Sequence, residues 1–263
     1  MPKPKSPVRA IRSIINDSGT SYVNRIFVGT PATGTVRMEW VLARYSQIIP
    51  MNWSQVQFLQ YMSGYVPMRY QVDDAQNIIV RETLKGDFEW LFLLEHDVIL
   101  PDNTLMIFNK YMREAKYPVV SGLYYSRGRP SEPLTFRGRG TGIYNDWKHG
   151  DLVWCDGVPT GCLLIHHSIL KLMWDESEEY VTSTPTQEKA RRVFWTPRKL
   201  ETSSAMHNAI TGTSDLFWCD RVMREDVLKR AGWGDYAPDP QYPFLVDTNI
   251  FCRHINMDGE QFP

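Results

Sequence analysis

Two carboxylates one residue apart, Glu95 and Asp97, flank His96 directly after the unbroken apolar run Trp90-Leu91-Phe92-Leu93-Leu94. A segment apolar at every position suits a strand covered on both faces, and such a strand fixes whatever follows it. Acids held there can aim two oxygens at one hard cation. Mg²⁺ or Mn²⁺ fits this arrangement, because such ions keep few protein ligands and complete their shell with water and substrate phosphates. The bland alternative is that both acids solvate a loop, as acidic loop residues commonly do. A further acid, Asp215, opens a segment in which Leu216, Cys219, Met223 and Val227 recur at helical spacing up to Gly232. An acid at a helix start complements the positive end of that helix.

The elements that would position these groups alternate. Arg25 to Val28 is a short apolar run stopped by Gly29-Thr30-Pro31, the pattern of a buried strand breaking into a loop. Val36, Trp40, Val41 and Tyr45 follow near helical spacing, Val66 to Val72 suits a strand, and Asp74 to Leu84 suits a helix closed by Gly86. Beyond the acids, Pro101 to Ala115 reads as a helix and Val119 to Leu123 as another strand. Strand and helix in turn predict an α/β fold with a mostly parallel central sheet and helices on both faces, its ligands beyond the carboxyl ends of the strands. Gly157 to Ile165 reads as a turn feeding a core strand. Asp175 to Thr213 is polar, aperiodic and too long for an ordinary connection, which suits a functional flap or an acceptor-binding insertion.

Composition narrows the class. With 263 residues, 43% hydrophobic and 13% aromatic, the chain can bury a sizeable core. Its 29 Lys plus Arg balance 30 Asp plus Glu, so no global field draws nucleic acid or anionic membrane, and a polyanion would need a local patch. Cys155, Cys162, Cys219 and Cys252 form no C-x-x-C pair, which argues for reduced thiols over a zinc ribbon or a disulfide framework. The apolar stretches fall far short of the roughly 20 residues that span a bilayer. Residues 1–24 begin with a basic stretch leading into no apolar core, so they read as a tail and not a secretion signal, and the expected location is cytoplasmic. No repeat or linker divides residues 25–263.

Four segments, in order, carry a resemblance. Leu91 to Pro101 resembles the D-x-D segment of GT-A glycosyltransferases, nucleotide-sugar-dependent enzymes of the family 2-like kind, with Glu95 in place of the first Asp. Gly157 to Ile165 looks like that family's glycine-containing strand start, and Ser214 to Cys219 is similar to its E-D-x-x-F-C helix start, with Ser214 replacing the first acid. Phe251 to Ile255 resembles its terminal histidine segment. The resemblance implies a single Rossmann-like GT-A domain, residues 25–123 holding a nucleotide-sugar donor, UDP-linked, and residues 124–263 the acceptor. It makes Asp97 and His254 metal ligands, with Glu95 direct or water-mediated; without it, a lone late histidine is ordinarily a core or surface residue. Two acids and an imidazole tilt the ion toward Mn²⁺ over Mg²⁺.

The same resemblance turns Asp215 from a helix cap into the general base of an inverting transfer, although a retaining reaction stays open. It sets Gly29, Thr30 and Pro31 near the nucleotide, with Asn77 retained where relatives carry Arg-Asn, Gln76 in place of the Arg, and Arg81 one turn on. His96 either contacts ribose or phosphate or only turns the loop. Trp147, Trp154, Trp195 and Trp218 could line a carbohydrate acceptor site. Arg127, Arg129, Arg137 and Arg139, with the basic run from Lys189 to Lys199, could instead grip a nucleic acid whose modified base is the acceptor. The rival readings are a sugar nucleotidyltransferase and a non-catalytic shell that has lost activity.

Overall fold

A computed structural model of the chain describes residues 26–138, 142–183, 186–196 and 213–263. The course begins with β1 (Ile26–Gly29), α1 (Met38–Tyr45), α2 (Gln55–Ser63) and α3 (Val72–Lys85). It continues through β2 (Trp90–Leu94), β3 (Val98–Ile99), α4 (Thr104–Glu114) and β4 (Val119–Leu123). Two short pairs of residues, β5 (Phe136–Arg137) and β6 (Gly142–Ile143), precede β7 (Leu152–Cys155), β8 (Cys162–His166) and α5 (His167–Glu176). A hairpin of β9 (Glu179–Val181) and β10 (Lys189–Arg191) leads on to α6 (Ser214–Arg224) and α7 (Val227–Arg230). The chain closes with β11 (Phe244–Phe251), β12 (Arg253–Ile255) and β13 (Gln261–Phe262).

The protein is α/β. Its six-stranded sheet has the order β1-β2-β8-β4-β11-β7. The expectation of a mostly parallel sheet needs correction: β1 with β2 and β4 with β11 are parallel, but β8 runs antiparallel to both β2 and β4, and β7 antiparallel to β11. A strand buried on both faces is apolar throughout whichever way it points, so Cys162 to Ile165 carries no trace of its direction. β8, from the second half of the chain, lies between β2 and β4 from the first, so both halves share one sheet.

Side-chain alternation along β2 feeds two cores. Leu91 and Leu93 join Ile79 and Val80 of α3, Ile169 and Leu170 of α5 and Trp218 and Val222 of α6. Trp90, Phe92 and Leu94 join Trp40 of α1, Tyr61 of α2 and Phe108 and Met112 of α4. Helices therefore cover both faces, as expected. All four cysteines are buried free thiols. Among the described residues no helix is long and apolar enough to cross a membrane.

Several boundaries differ from the sequence reading. α2 went unforeseen, although Ser54 and Gln57 form a reciprocal capping box at its start. In place of a strand from Val66 to Val72, Tyr65 and Met68 make single parallel bridges to Gly29 and Ala32, and Val72 already begins α3. Gly86 closes α3 at φ −80, so it is not a left-handed cap. A Cβ there would lie 2.5 Å from the Phe88 ring, and that close packing accounts for the glycine.

Near the end of β11 the register with β4 shifts between Asp247 and Phe251, a bulge that bends the strand out of the large sheet. The chain then enters a second, three-stranded sheet of order β13-β12-β3. There Arg253 pairs with Ile99 and His254 with Val98. Gly29, which the resemblance sets near a nucleotide, has a packing role of its own. A Cβ added to it would lie 2.2 Å from Ile79 Cγ2, and a β-branched side chain in a helix has little freedom to move aside. Gly29→Ala should therefore lower the unfolding free energy by about 1–3 kcal/mol, read from urea titration of purified protein.

Candidate metal and acid centre

β2 ends at Leu94, and the chain turns through Glu95-His96-Asp97 before pairing again as β3. This turn is fixed on every side. The Glu95 N–H donates to the Gly161 carbonyl at 3.0 Å, and the Ile255 N–H donates to the Asp97 carbonyl at 2.9 Å. The Trp40 indole N–H donates to the Glu95 carbonyl at 2.8 Å. His96 faces sideways, its ring nitrogens 3.1 Å from the Pro31 carbonyl and 3.3 Å from the Thr33 hydroxyl. It thus ties the loop after β1 to the acid turn, which brings Pro31 beside the site. Thr30 is buried and its N–H donates to the Tyr65 carbonyl.

Pairing of β12 with β3 delivers His254 to the acids. One ligand atom from each of Glu95, Asp97 and His254 lies within 4.8 Å of the others. His254 Nδ1 sits against the Tyr125 carbonyl, which leaves Nε2 as the free lone pair. Burial holds the imidazole pKa below its usual value, the neighbouring Asp97 charge opposing that shift, so the ring is neutral at pH 7 as a ligand must be. Asp97 Oδ2 pairs with Arg127 at 3.0 Å, while its Oδ1 is buried with no hydrogen-bond partner. An orphaned carboxylate oxygen, a neutral imidazole and a second carboxyl in one small space fit the donor set of a divalent cation.

Glu95 is half-buried, and its carboxyl is pushed up to about 8 by burial first, then by the charges of Asp97 and Asp215. The Thr160 hydroxyl opposes this by donating to Glu95 Oε1 at 2.9 Å, and Gln76 Nε2 donates in turn to Thr160 at 3.0 Å. Asp215 lies in the first turn of α6, half-buried, its Oδ1 accepting the Leu216 N–H at 2.9 Å. Burial raises its pKa, with the Thr213 hydroxyl and the Leu216 N–H pulling the other way. It is thus a helix-start acid whose charge reaches Glu95 without joining the Glu95, Asp97 and His254 group. Tyr124 completes the wall: its hydroxyl accepts the Gly161 N–H at 2.7 Å, and its ring meets His254 edge-on at 4.8 Å. A Cβ on Gly161 would fall 2.3 Å from that hydroxyl, so only glycine admits it.

Other expected contacts lie elsewhere. Asn77 is buried with its amide fully engaged, Oδ1 accepting the N–H groups of Val193 and Phe194 and Nδ2 donating to Tyr180 and the Phe194 carbonyl. It anchors the flap and has no polar atom left for a donor. Arg81 likewise binds Glu82, Glu188 and the Lys189 carbonyl. Arg129 pairs with Glu260, and Arg137 donates to the Trp154 carbonyl while stacking on Tyr144 and Tyr242. Lys189 and Arg192 pair with Glu179 and Glu178. Arg139, Arg198 and Lys199 lie outside the described residues. Little free positive charge therefore remains for nucleic acid in the described parts of both clusters.

Thr160, Tyr124 and Gln76 were missed as members of the site. Gly161 carried the available signal, since a glycine at the start of a strand marks a close approach. Arg127 was grouped with a basic patch and not with the acids.

Neither a protein-family model nor a curated protein matches this chain. Among solved structures, it is similar to the crystal structure of A197 from STIV, at 14% identity and a TM-score of 0.49, over 90% of this chain and 93% of that one.

The raised Glu95 carboxyl sets a pH dependence. The folded state holds a proton that the unfolded state has released, so stability falls as pH rises toward 8. His254 works in the opposite direction, but only below its unfolded value of 6.5. Between pH 6.5 and pH 8 the melting temperature of metal-free protein should therefore fall, and Glu95→Gln should flatten that slope. Differential scanning fluorimetry across that range checks both.

Proposed function

We propose that the protein is a metal-dependent GT-A-type glycosyltransferase, moving a sugar from a UDP-linked donor to an acceptor hydroxyl with inversion. The observation that carries this reading is the convergence of Glu95, Asp97 and His254 within 4.8 Å, beside an Asp215 whose charge reaches Glu95. Asp97, His254 and Glu95 would hold the cation, Mn²⁺ in preference to Mg²⁺. When bound, that ion supplies neutralisation of the charge that grows on the leaving diphosphate.

The remaining work belongs to the chain's own groups. Asp215 accepts the proton of the acceptor hydroxyl as that oxygen bonds to the anomeric carbon. The bond from that carbon to the diphosphate oxygen breaks, its electron pair leaving with the diphosphate. A pKa raised by burial makes Asp215 a stronger base than an exposed carboxylate. Arg127, half-exposed beside Asp97, offers a further positive charge to the diphosphate. Thr160, held by Gln76, orients Glu95. Gly29, Thr30 and Pro31 bring their loop to the acid turn through His96, on the side assigned to the nucleotide.

A screen of UDP-sugars with Mn²⁺, following UDP release, tests the reading, and EDTA should abolish the activity. Asp97→Ala should remove metal-dependent turnover; near-normal kcat at saturating Mn²⁺ would sink the assignment. Asp215→Asn should cut kcat by about 10²–10⁴ with donor binding preserved. Arg127→Ala should separate two effects: Mn²⁺ binds up to about fivefold more tightly by calorimetry, because Asp97 loses its partner, while the KM for the donor rises.

A further inference from the structure

A hollow of about 500 Å³ lies between the β9–β10 hairpin and the first turn of α3, lined by Asp74, Glu178, Tyr180, Ser183, Arg192 and Trp195. Its walls are braced. The Tyr180 hydroxyl donates to Asp74 Oδ1 at 2.8 Å, and Ser183 Oγ donates to Asp74 Oδ2 at 3.1 Å. The Thr196 N–H donates to Asp73 at 3.0 Å, which pins the chain next to Trp195. The Arg192 guanidinium stacks 4.4 Å from the centre of the Tyr180 ring, and Trp195 meets Phe217 edge-on at 5.0 Å.

Of the four tryptophans considered for carbohydrate stacking, Trp218 is fully buried, and Trp147 and Trp154 pack against the two cores. Trp195 alone of them is exposed, at 37%. It also borders a second hollow of about 230 Å³ on its α6 side, shared with Phe217 and Arg221. An indole standing between two hollows offers a surface along which more than one ring can lie. Around it stand the guanidinium of Arg192, the exposed carboxylate of Glu178 and the hydroxyl of Ser183. That combination matches a pyranose, whose C–H face stacks on an aromatic ring while its hydroxyls bond to a polar rim.

Charge decides between a sugar and a phosphodiester. Across the two hollows Asp74, Glu176, Glu178 and Glu225 outnumber Arg192, Arg221 and Arg224, so no positive surplus draws a polyanion, and a neutral glycan needs none. The two helices that frame the hollows also serve the acid centre. Gln76, two residues after Asp74, reaches Thr160 and through it Glu95, and Phe217 lies two residues after Asp215. We infer that the paired hollows around Trp195 bind the neutral pyranose end of a glycan acceptor. This rests on the transferase reading for its purpose, though not for its binding chemistry.

The test uses the full chain on an array of neutral oligosaccharides that also carries single-stranded oligonucleotides, without nucleotide or metal. Wild type should retain a neutral oligosaccharide. Trp195→Ala should weaken that binding about tenfold or more, and Trp195→Phe should keep most of it. Arg192→Gln, at a half-exposed position, gives a second variant should loss of the indole disturb folding, and it should weaken the same glycan. Retention of no neutral glycan, retention indifferent to Trp195 and Arg192, or preference for the oligonucleotides overturns the inference. UDP release from UDP-glucose, UDP-galactose and UDP-N-acetylglucosamine with Mn²⁺, measured on wild type, separates the two ideas. Release with Trp195-independent glycan binding leaves the donor reading and removes the subsite; Trp195-dependent binding without release does the reverse.

Discussion

Burying a carboxyl beside other acids is the constraint around which this site is arranged. Glu95 sits at the end of β2, partly shielded from water, where burial first and the charges of Asp97 and Asp215 second disfavour its ionisation. Left free, such groups would turn apart. They are prevented by backbone bonds: Gly161 and Trp40 hold the residue before the turn's midpoint, Ile255 holds the one after it, and Arg127 compensates a single oxygen. The result is a Glu95 carboxyl that holds its proton to a higher pH than an exposed one would.

The parts of this arrangement that were legible in the sequence are those whose cause is local. Trp90 to Leu94 declares a covered strand by being apolar at each position, and the acids after it are conspicuous because nothing polar interrupts the run before them. The partner that meets them, His254, has no local mark; only the resemblance of its segment pointed to it. Strand direction was not legible either. Nothing in Cys162 to His166 distinguishes a strand running with β2 from one running against it, because direction is set by the connection from β7.

The face of α3 that bears Asp73, Asp74, Asn77 and Arg81 illustrates a different kind of ambiguity. Polar residues spaced by about one turn suit solvent, a ligand or a covering segment equally well. Here the covering segment takes them: Thr196, Ser183, Val193, Phe194 and Glu188 each bond to one member of that face, and Tyr180 to both Asp74 and Asn77. The flap's attachment is therefore polar and directional. The polar face of α3 is turned toward another part of its own chain.

The small sheet of β3, β12 and β13 has a consequence for how the molecule comes into being. Its central strand carries the imidazole, arrives from the far end of the chain, and zips onto residues that emerge much earlier during synthesis. Contacts of such long sequence separation form late, after the loop between them has been ordered. A nascent chain thus carries its acids for a long interval without their histidine. The grouping of Glu95, Asp97 and His254 is therefore deferred until β12 docks against β3, so the geometry of the centre is among the later features of the fold to be set.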